Sequence, residues 1–531
     1  MSSVQLYDTT LRDGAQREGI SFSVADKLHI VCKLDELGIH FIEGGWPGAN
    51  PKDDEFFARA KSLTLAHAVL AAFGSTRRAN IKVEDDTNIA ALAGAGTKVV
   101  TLVGKSSSLQ VTQVLGTTLA ENLKMIADSI GYLRAKGLTV FFDAEHFFDG
   151  FKADREYALR CLTAAAKAGA SCLVLCDTNG GTLPDEIKLA IEAAHKITDV
   201  PLGIHAHNDA ELAVANTLAA VNAGATQIQG TMNGYGERCG NADLCAIIPN
   251  LKLKMGIDCV TEEQLAKLTE VSHFVSEAAN LPSNPYAPYV GYSAFSHKGG
   301  LHVSGVTKWA DSYQHINPAQ VGNRQRAVVS ELSGKGNIIY KAKELGIDLP
   351  PSGAEAEKLL EQIKRLESRG FQYENAEASF ELLLHRAKPG YKPPFELVDF
   401  MVLVETRRRA PTRNHGEETL AEAMIKVKVN NQIIHTAAEG NGPVNALDEA
   451  LRKALLQFYP SLAVIKLVDY KVRILEESVG TESQVRVLIE SSDGVNGWRT
   501  VGSSTNIIEA SWLALADSLE YWLARQKPTG C

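Results

Sequence analysis

Two histidines separated by a single residue, His205 and His207, close an apolar run, Leu202–Ala206. If that run is a strand, alternate side chains share a face and both imidazoles point the same way. A lone histidine at such a place reads as a packed core residue, but a pair at a strand's end suits a divalent cation. With Asp13 as a third donor the set is two imidazoles and a carboxylate, which leaves positions open for water or substrate. Zn2+, Mn2+ and Mg2+ all remain compatible with it, and Asn241 can add an oxygen. Arg12 precedes Asp13. Its guanidinium can stabilise negative charge that develops on a substrate oxygen.

Other polar groups stand at the ends of apolar runs in the same way. Glu43 opens Glu43-Gly44-Gly45-Trp46-Pro47 and is placed to orient Arg12 rather than to act as a catalyst. Glu145 follows Thr139–Asp143, and Thr178 follows Cys172–Cys176. The run Asn233-Gly234-Tyr235-Gly236-Glu237-Arg238-Cys239-Gly240-Asn241 has three glycines, which permit tight turns and close approach to a ligand.

What must gather these groups is a set of strands ending on one side. Eight candidates occur: Val4–Tyr7, Phe41–Gly44, Ala68–Ala72, Lys98–Val103, Thr139–Asp143, Cys172–Cys176, Leu202–Ala206 and Thr226–Gly230. Amphipathic stretches such as Ala25–Leu37, Leu119–Lys136, Arg155–Ala168 and Ala210–Ala223 lie between them, with Gly38, Gly137, Gly169 and Gly224 where helices should stop. Strand–helix alternation means a parallel sheet, and eight repeats predict an α/β fold of the (β/α)8 TIM-barrel type. The competing doubly wound sheet lacks its Gly-x-Gly-x-x-Gly after the first strand. In a parallel barrel the chemistry lies at the C-terminal strand ends, where all of these polar groups fall.

The barrel is expected over residues 1–280. A Pro- and Tyr-rich stretch, Leu281–Tyr292, opens linker subdomains over 281–395, with a Gly/His-rich segment His297–Ser304 and helices over Ala354–Arg369 and Ala376–Arg386. A second Pro-rich stretch, Lys388–Phe395, precedes a C-terminal α+β domain over 396–531. A repeat offset by 64 residues relates Val444, Ala446, Ala450 and Leu451 to Ile508, Ala510, Ala514 and Leu515. Each set opens a helix after strand-like segments, Ala423–Val429 with Gln432–Thr436, and Ser483–Glu490 with Trp498–Gly502. The pattern predicts duplicated βββα units, which can hold an effector, mediate dimerisation or serve as a structural appendage.

Asp8-Thr9-Thr10-Leu11-Arg12-Asp13-Gly14, His205-x-His207 and the Asn233–Asn241 loop together resemble the 2-isopropylmalate, homocitrate and citramalate synthase family, of the DRE-TIM metallolyase superfamily. The similarity spans essentially the whole chain. Glu43–Gly48, Asn50-Pro51-Lys52-Asp53 and Glu374–Leu384 look most like its citramalate synthase branch. The resemblance implies acetyl-CoA-dependent condensation with a small 2-oxo acid, pyruvate in that branch, as a step of isoleucine biosynthesis. It implies metal ligands at Asp13, His205, His207 and Asn241, and catalytic groups at Arg12, Glu145, His302 and Tyr313. Substrate contacts fall to Arg12, Thr178, Glu43 and Gln16. A homodimer with a regulatory C-terminal domain answering to isoleucine is implied as well. The same chemistry on 2-oxoisovalerate or 2-oxoglutarate, a metal-dependent lyase, and an amino-acid sensor without catalysis are the competing readings.

Composition sets further bounds. The 531 residues are 45% hydrophobic, enough for large cores. A formal charge of -9 argues against nucleic acid as partner. No apolar run is long enough for a membrane span. Eight scattered cysteines with no Cys-x-x-Cys pair read as reduced thiols of a cytoplasmic enzyme.

Overall fold

The computed structural model describes residues 4–327, 335–345, 354–373, 376–388, 390–405, 420–475 and 483–526. Glu374 and Asn375 of the stretch singled out above, Pro389 of the second Pro-rich segment and Cys531 lie outside them. The chain divides into two compact units, Met1–Phe295 with His315–Gln325, and Ser296–Gln314 with Arg326–Cys531.

The first unit is a closed barrel of eight strands in sequence order. They are β1 (Gln5–Asp8), β2 (Phe41–Gly45), β3 (Val69–Ser75), β4 (Val99–Lys105), β5 (Thr139–Glu145), β6 (Cys172–Asp177), β7 (Leu202–Ala206) and β8 (Gln227–Gly230). Every neighbouring pair is parallel, and β8 closes on β1 with Gln5 opposite Gln227 and Tyr7 opposite Gln229. Strands β3, β4 and β5 run two or three residues further than the apolar pattern indicates, because Gly74, Gly104 and the polar ends Ser75, Lys105 and Glu145 hide the strand signal. Those extra residues carry the polar rim of the barrel.

Alternation decides what faces the lumen. Tyr7, Ala71, Val99, Phe141, Cys172, Val174 and Cys176 form one buried cluster with Phe41 and Val69. Their sequence neighbours Leu6, Ala72, Val100, Phe142, Leu173 and Leu175 belong instead to the larger core between strands and helices. The strand period therefore directs Glu43, Phe73, Lys105, Asp143, Glu145, His205 and Gln229 inward.

Helix ends follow local rules. Ser23 and Asp26 form a capping box at the start of Val24–Leu37. That helix stops at Gly38, whose φ of 86° is the left-handed conformation glycine adopts without a Cβ penalty. The Pro- and Tyr-rich stretch packs on the barrel unit: Tyr289 is buried and its hydroxyl donates to Asn250 Oδ1 at 2.8 Å.

The second unit contains the expected duplication. Antiparallel strands Glu396–Glu405, Leu420–Val429 and Gln432–Gly440 precede helix Pro443–Leu455. Strands Lys466–Ile474, Val485–Ser492 and Gly497–Ser504 precede helix Ile507–Arg525. Equivalent hydrogen bonds tie sheet to helix in both halves, from Thr436 Oγ1 to Ala450 O at 2.8 Å and from Thr500 Oγ1 to Ala514 O at 2.7 Å. The offset is the same 64 residues read from the sequence. Helices Ala354–Glu367 and Glu377–Arg386 are present in this unit. The Gly/His-rich segment is mostly helix, Gly300–Lys308. Among the described residues no helix is long and apolar enough to cross a membrane.

Candidate active site

Arg12 leaves β1 and is clamped on three sides. Nε bonds Glu43 Oε1 at 2.5 Å, Nη1 lies 3.3 Å from Asp13 Oδ2, and the guanidinium carbon sits 3.8 Å above the centre of the Phe73 ring. Glu43 is fully buried and takes a second bond from the Tyr7 hydroxyl at 2.7 Å. Planar stacking plus two carboxylates leaves the guanidinium little freedom. Burial alone would drive Arg12 toward neutrality, but Glu43 and Asp13 outweigh it and keep the side chain charged.

Asp13, His205 and His207 converge, with one potential ligand atom each inside a 4.8 Å span. Asp13 Oδ2 lies 3.4 Å from His205 Nε2 and 3.9 Å from His207 Nε2, and the two Nε2 atoms are 3.3 Å apart. All three side chains are buried. Burial pushes the Asp13 carboxyl up, yet Arg12 and the two imidazoles hold it well below the usual carboxylate range. Burial first, and then the charge of His205, lowers His207 to about 4, so its ring is neutral at ordinary pH.

The donor set fits a divalent cation. Asp13 Oδ1 and Asn241 Oδ1 are buried with no hydrogen-bond partner among the described residues, a cost that a native fold seldom leaves uncompensated. Asn241 is bridged to His207 through the backbone and turns its Nδ2 toward His205 Nε2 at 3.3 Å. Its Oδ1 rests against Gly236, where a Cβ would collide with it.

A cavity of about 330 Å3 opens over this cluster. Arg12, Asp13, Gln16, Glu145, Thr178, His205 and His207 line it, together with Trp46, Phe73, Ser75, Val103, Asp143, Cys176, Glu237 and Arg238. Thr178 Oγ1 accepts the His146 backbone N–H at 2.8 Å, so its own hydroxyl hydrogen remains to be donated. Trp46 meets Phe73 edge to face at 5.4 Å, and its Nε1–H donates to Asn88 Oδ1 at 2.8 Å. The turn that carries Trp46 is anchored by Asp53, which accepts the Trp46 backbone N–H at 3.1 Å and pairs with Lys27 at 2.6 Å. This gives the Asn50–Asp53 motif a positional role.

Three groups here escaped the sequence reading. Lys105 pairs with Glu145 at 2.5 Å from the adjacent strand, where the two residues are in register. Asp143 and Gln229 meet inside the lumen at 2.9 Å. The available signal was strand parity for Asp143 alone, two residues before Glu145 on β5; β4 and β8 carried no chosen residue from which to count to Lys105 or Gln229. His302 and Tyr313 belong to the second unit. Their rings stack at 4.3 Å and 21°, and His297 is 6.3 Å from His302.

A family model described as HMGL-like matches residues 3–275. One described as homocitrate synthase post-HMGL domain-like matches 289–370, and one described as LeuA allosteric (dimerisation) domain matches 374–523. The (R)-citramalate synthase of Aquifex aeolicus is 53% identical over 530 residues, 99% of both chains. That of Geobacter sulfurreducens is 53% identical over 527 residues, again 99% of both. A 2-isopropylmalate synthase of Methanocaldococcus jannaschii is 30% identical over 529 residues, 99% of this chain and 95% of that one. A closed parallel barrel with a buried Asp–His–His cluster at its C-terminal mouth defines the class, the HMGL-like barrel enzymes. Within that class the chain belongs to the (R)-citramalate synthase family.

Proposed function

We propose that the protein joins the methyl carbon of acetyl-CoA to the keto carbon of pyruvate and hydrolyses the thioester, giving citramalate and free CoA. The observation that carries this reading is the aromatic wall of Trp46 and Phe73 beside the Arg12 and Asp–His–His cluster, which leaves a small keto-acid site. Asp13, His205 and His207 would hold Zn2+, Mn2+ or Mg2+, with Asn241 as a further donor. When bound, such an ion supplies Lewis-acid polarisation of a ketone.

The chain's own groups do the rest. Arg12, fixed by Glu43 and Phe73, stabilises the alkoxide formed when the new carbon–carbon bond moves the carbonyl electron pair onto oxygen. The free hydroxyl hydrogen of Thr178 is donated to the keto acid's carboxylate, and Gln16 borders the same space. Glu145, oriented by Lys105, acts in proton transfer. His302, with Tyr313 stacked on its ring, takes the proton of the acetyl methyl group. Water then adds to the thioester carbonyl, the C–S bond breaks and CoA leaves as the thiol. Residues 1–280 are assigned to catalysis, 281–395 to the linker and 396–531 to dimerisation and regulation by isoleucine, in a cytoplasmic homodimer. The test is CoA thiol release from acetyl-CoA with pyruvate, 2-oxoisovalerate and 2-oxoglutarate in turn. Pyruvate should be the best acceptor, and no release with any of them would overturn the proposal.

A further inference from the structure

The fully buried amide of Gln229 links two lumen residues on different strands. Nε2 lies 2.9 Å from Asp143 Oδ1, and Oε1 lies 2.9 Å from His205 Nδ1. The amide N–H is donated to Asp143 Oδ1, which leaves Oε1 facing the imidazole. An amide oxygen also only accepts, so His205 must carry its ring hydrogen on Nδ1. The lone pair of the neutral ring is then on Nε2, the atom that faces Asp13 and His207. We propose that Gln229 is a positioning residue that, through its bond to Asp143, selects the His205 tautomer able to bind a metal ion; this rests on the metal-site reading given above.

The alternative amide orientation shows what is at stake. With the amide reversed, an N–H would face Nδ1, the ring hydrogen would move to Nε2, and a metal ligand would become a donor aimed at a cation. Gln227, two residues earlier on β8, is equally buried, yet neither of its amide atoms has a hydrogen-bond partner. Burial in the lumen therefore does not by itself orient a glutamine. The carboxylate of Asp143 does so for Gln229.

The experiment measures Zn2+ affinity of the metal-free full-length protein by competition with a chromophoric chelator. Q229L removes both bonds, whereas Q229E keeps an acceptor facing Nδ1. Loss of an outer hydrogen-bond partner should weaken Zn2+ binding about 10–100-fold in Q229L, with Q229E within about threefold of wild type. Equal affinity of Q229L and wild type, or equal weakening of both variants, overturns the proposal. H207A is measured alongside: unchanged Zn2+ affinity there would sink the metal site itself, a different failure. A second readout needs no Gln229 variant. In metal-free protein labelled with 15N in histidine alone, at a pH where the ring is neutral, the signal that H205A removes should report hydrogen on Nδ1 alone, and hydrogen on Nε2 alone overturns the proposal.

Discussion

Replacing Trp46 by Phe probes the substrate pocket with little disturbance to the charged groups. Trp46 lines the cavity and touches Phe73, but it is Phe73, not Trp46, that supports Arg12. Pyruvate and 2-oxoisovalerate differ by two methyl groups, and one methylene in a tight apolar pocket discriminates by about 1–3 kcal/mol. Steric exclusion of both should give wild type at least about a hundredfold preference for pyruvate in kcat/KM, or about 2.7 kcal/mol. The smaller ring frees roughly the space of one methylene, so Trp46→Phe should narrow the gap by about tenfold, near 1.4 kcal/mol. It also removes the indole bond to Asn88, at a cost of about 1 kcal/mol in stability. Steady-state thiol release with each keto acid measures both ratios, and thermal melting separates the stability effect. An unchanged ratio would refute the pocket argument. A wild-type preference for 2-oxoisovalerate would refute the assignment to pyruvate.

His207→Ala should lose bound divalent metal and nearly all turnover while the far-ultraviolet dichroism stays that of a folded barrel; full activity after chelation and dialysis of wild type would contradict this. Lys105→Met should lower kcat by about tenfold or more with KM for pyruvate little changed, because Glu145 loses the cation that orients it, and Lys105→Arg should restore much of the rate. Equal kcat in wild type and Lys105→Met would remove Glu145's partner from the mechanism. Asp8, buried at the end of β1, has its carboxyl pushed from an ordinary value near 3.8 up to about 7, by burial above all. Because the fold binds this proton more tightly than the unfolded chain, the stabilisation is complete below about pH 4 and is lost as pH rises to about 7, at up to about 1.4 kcal/mol per pH unit. Melting temperatures should therefore show Asp8→Asn gaining on wild type between pH 5 and pH 8; a constant difference across that range would show that Asp8 does not titrate there.

Local patterning made the barrel legible before any coordinates. Eight apolar runs, helices ended by glycines such as Gly38, and the spacing of His205 and His207 are properties of short segments, fixed by φ/ψ sterics and the two-residue period of a strand. The same holds for the duplicated C-terminal units, whose offset of 64 residues recurs in the bonds of Thr436 and Thr500. Position just past the C-terminal end of a strand also marked Arg12, Asp13, Glu145 and Thr178 as rim residues, because polar side chains just past buried strands have few other places to go. What a segment does not carry is its neighbour. Glu43 meets Arg12 across 31 positions, and Gln229 meets Asp143 across 86. These pairs exist because the strands close into a ring in which β1 lies between β2 and β8 and β4 runs in register with β5. Register is a collective outcome of packing all eight strands around one lumen. The tertiary structure alone therefore decided that Lys105 faces Glu145, that Phe73 underlies Arg12, and that an amide on β8 orients an imidazole on β7.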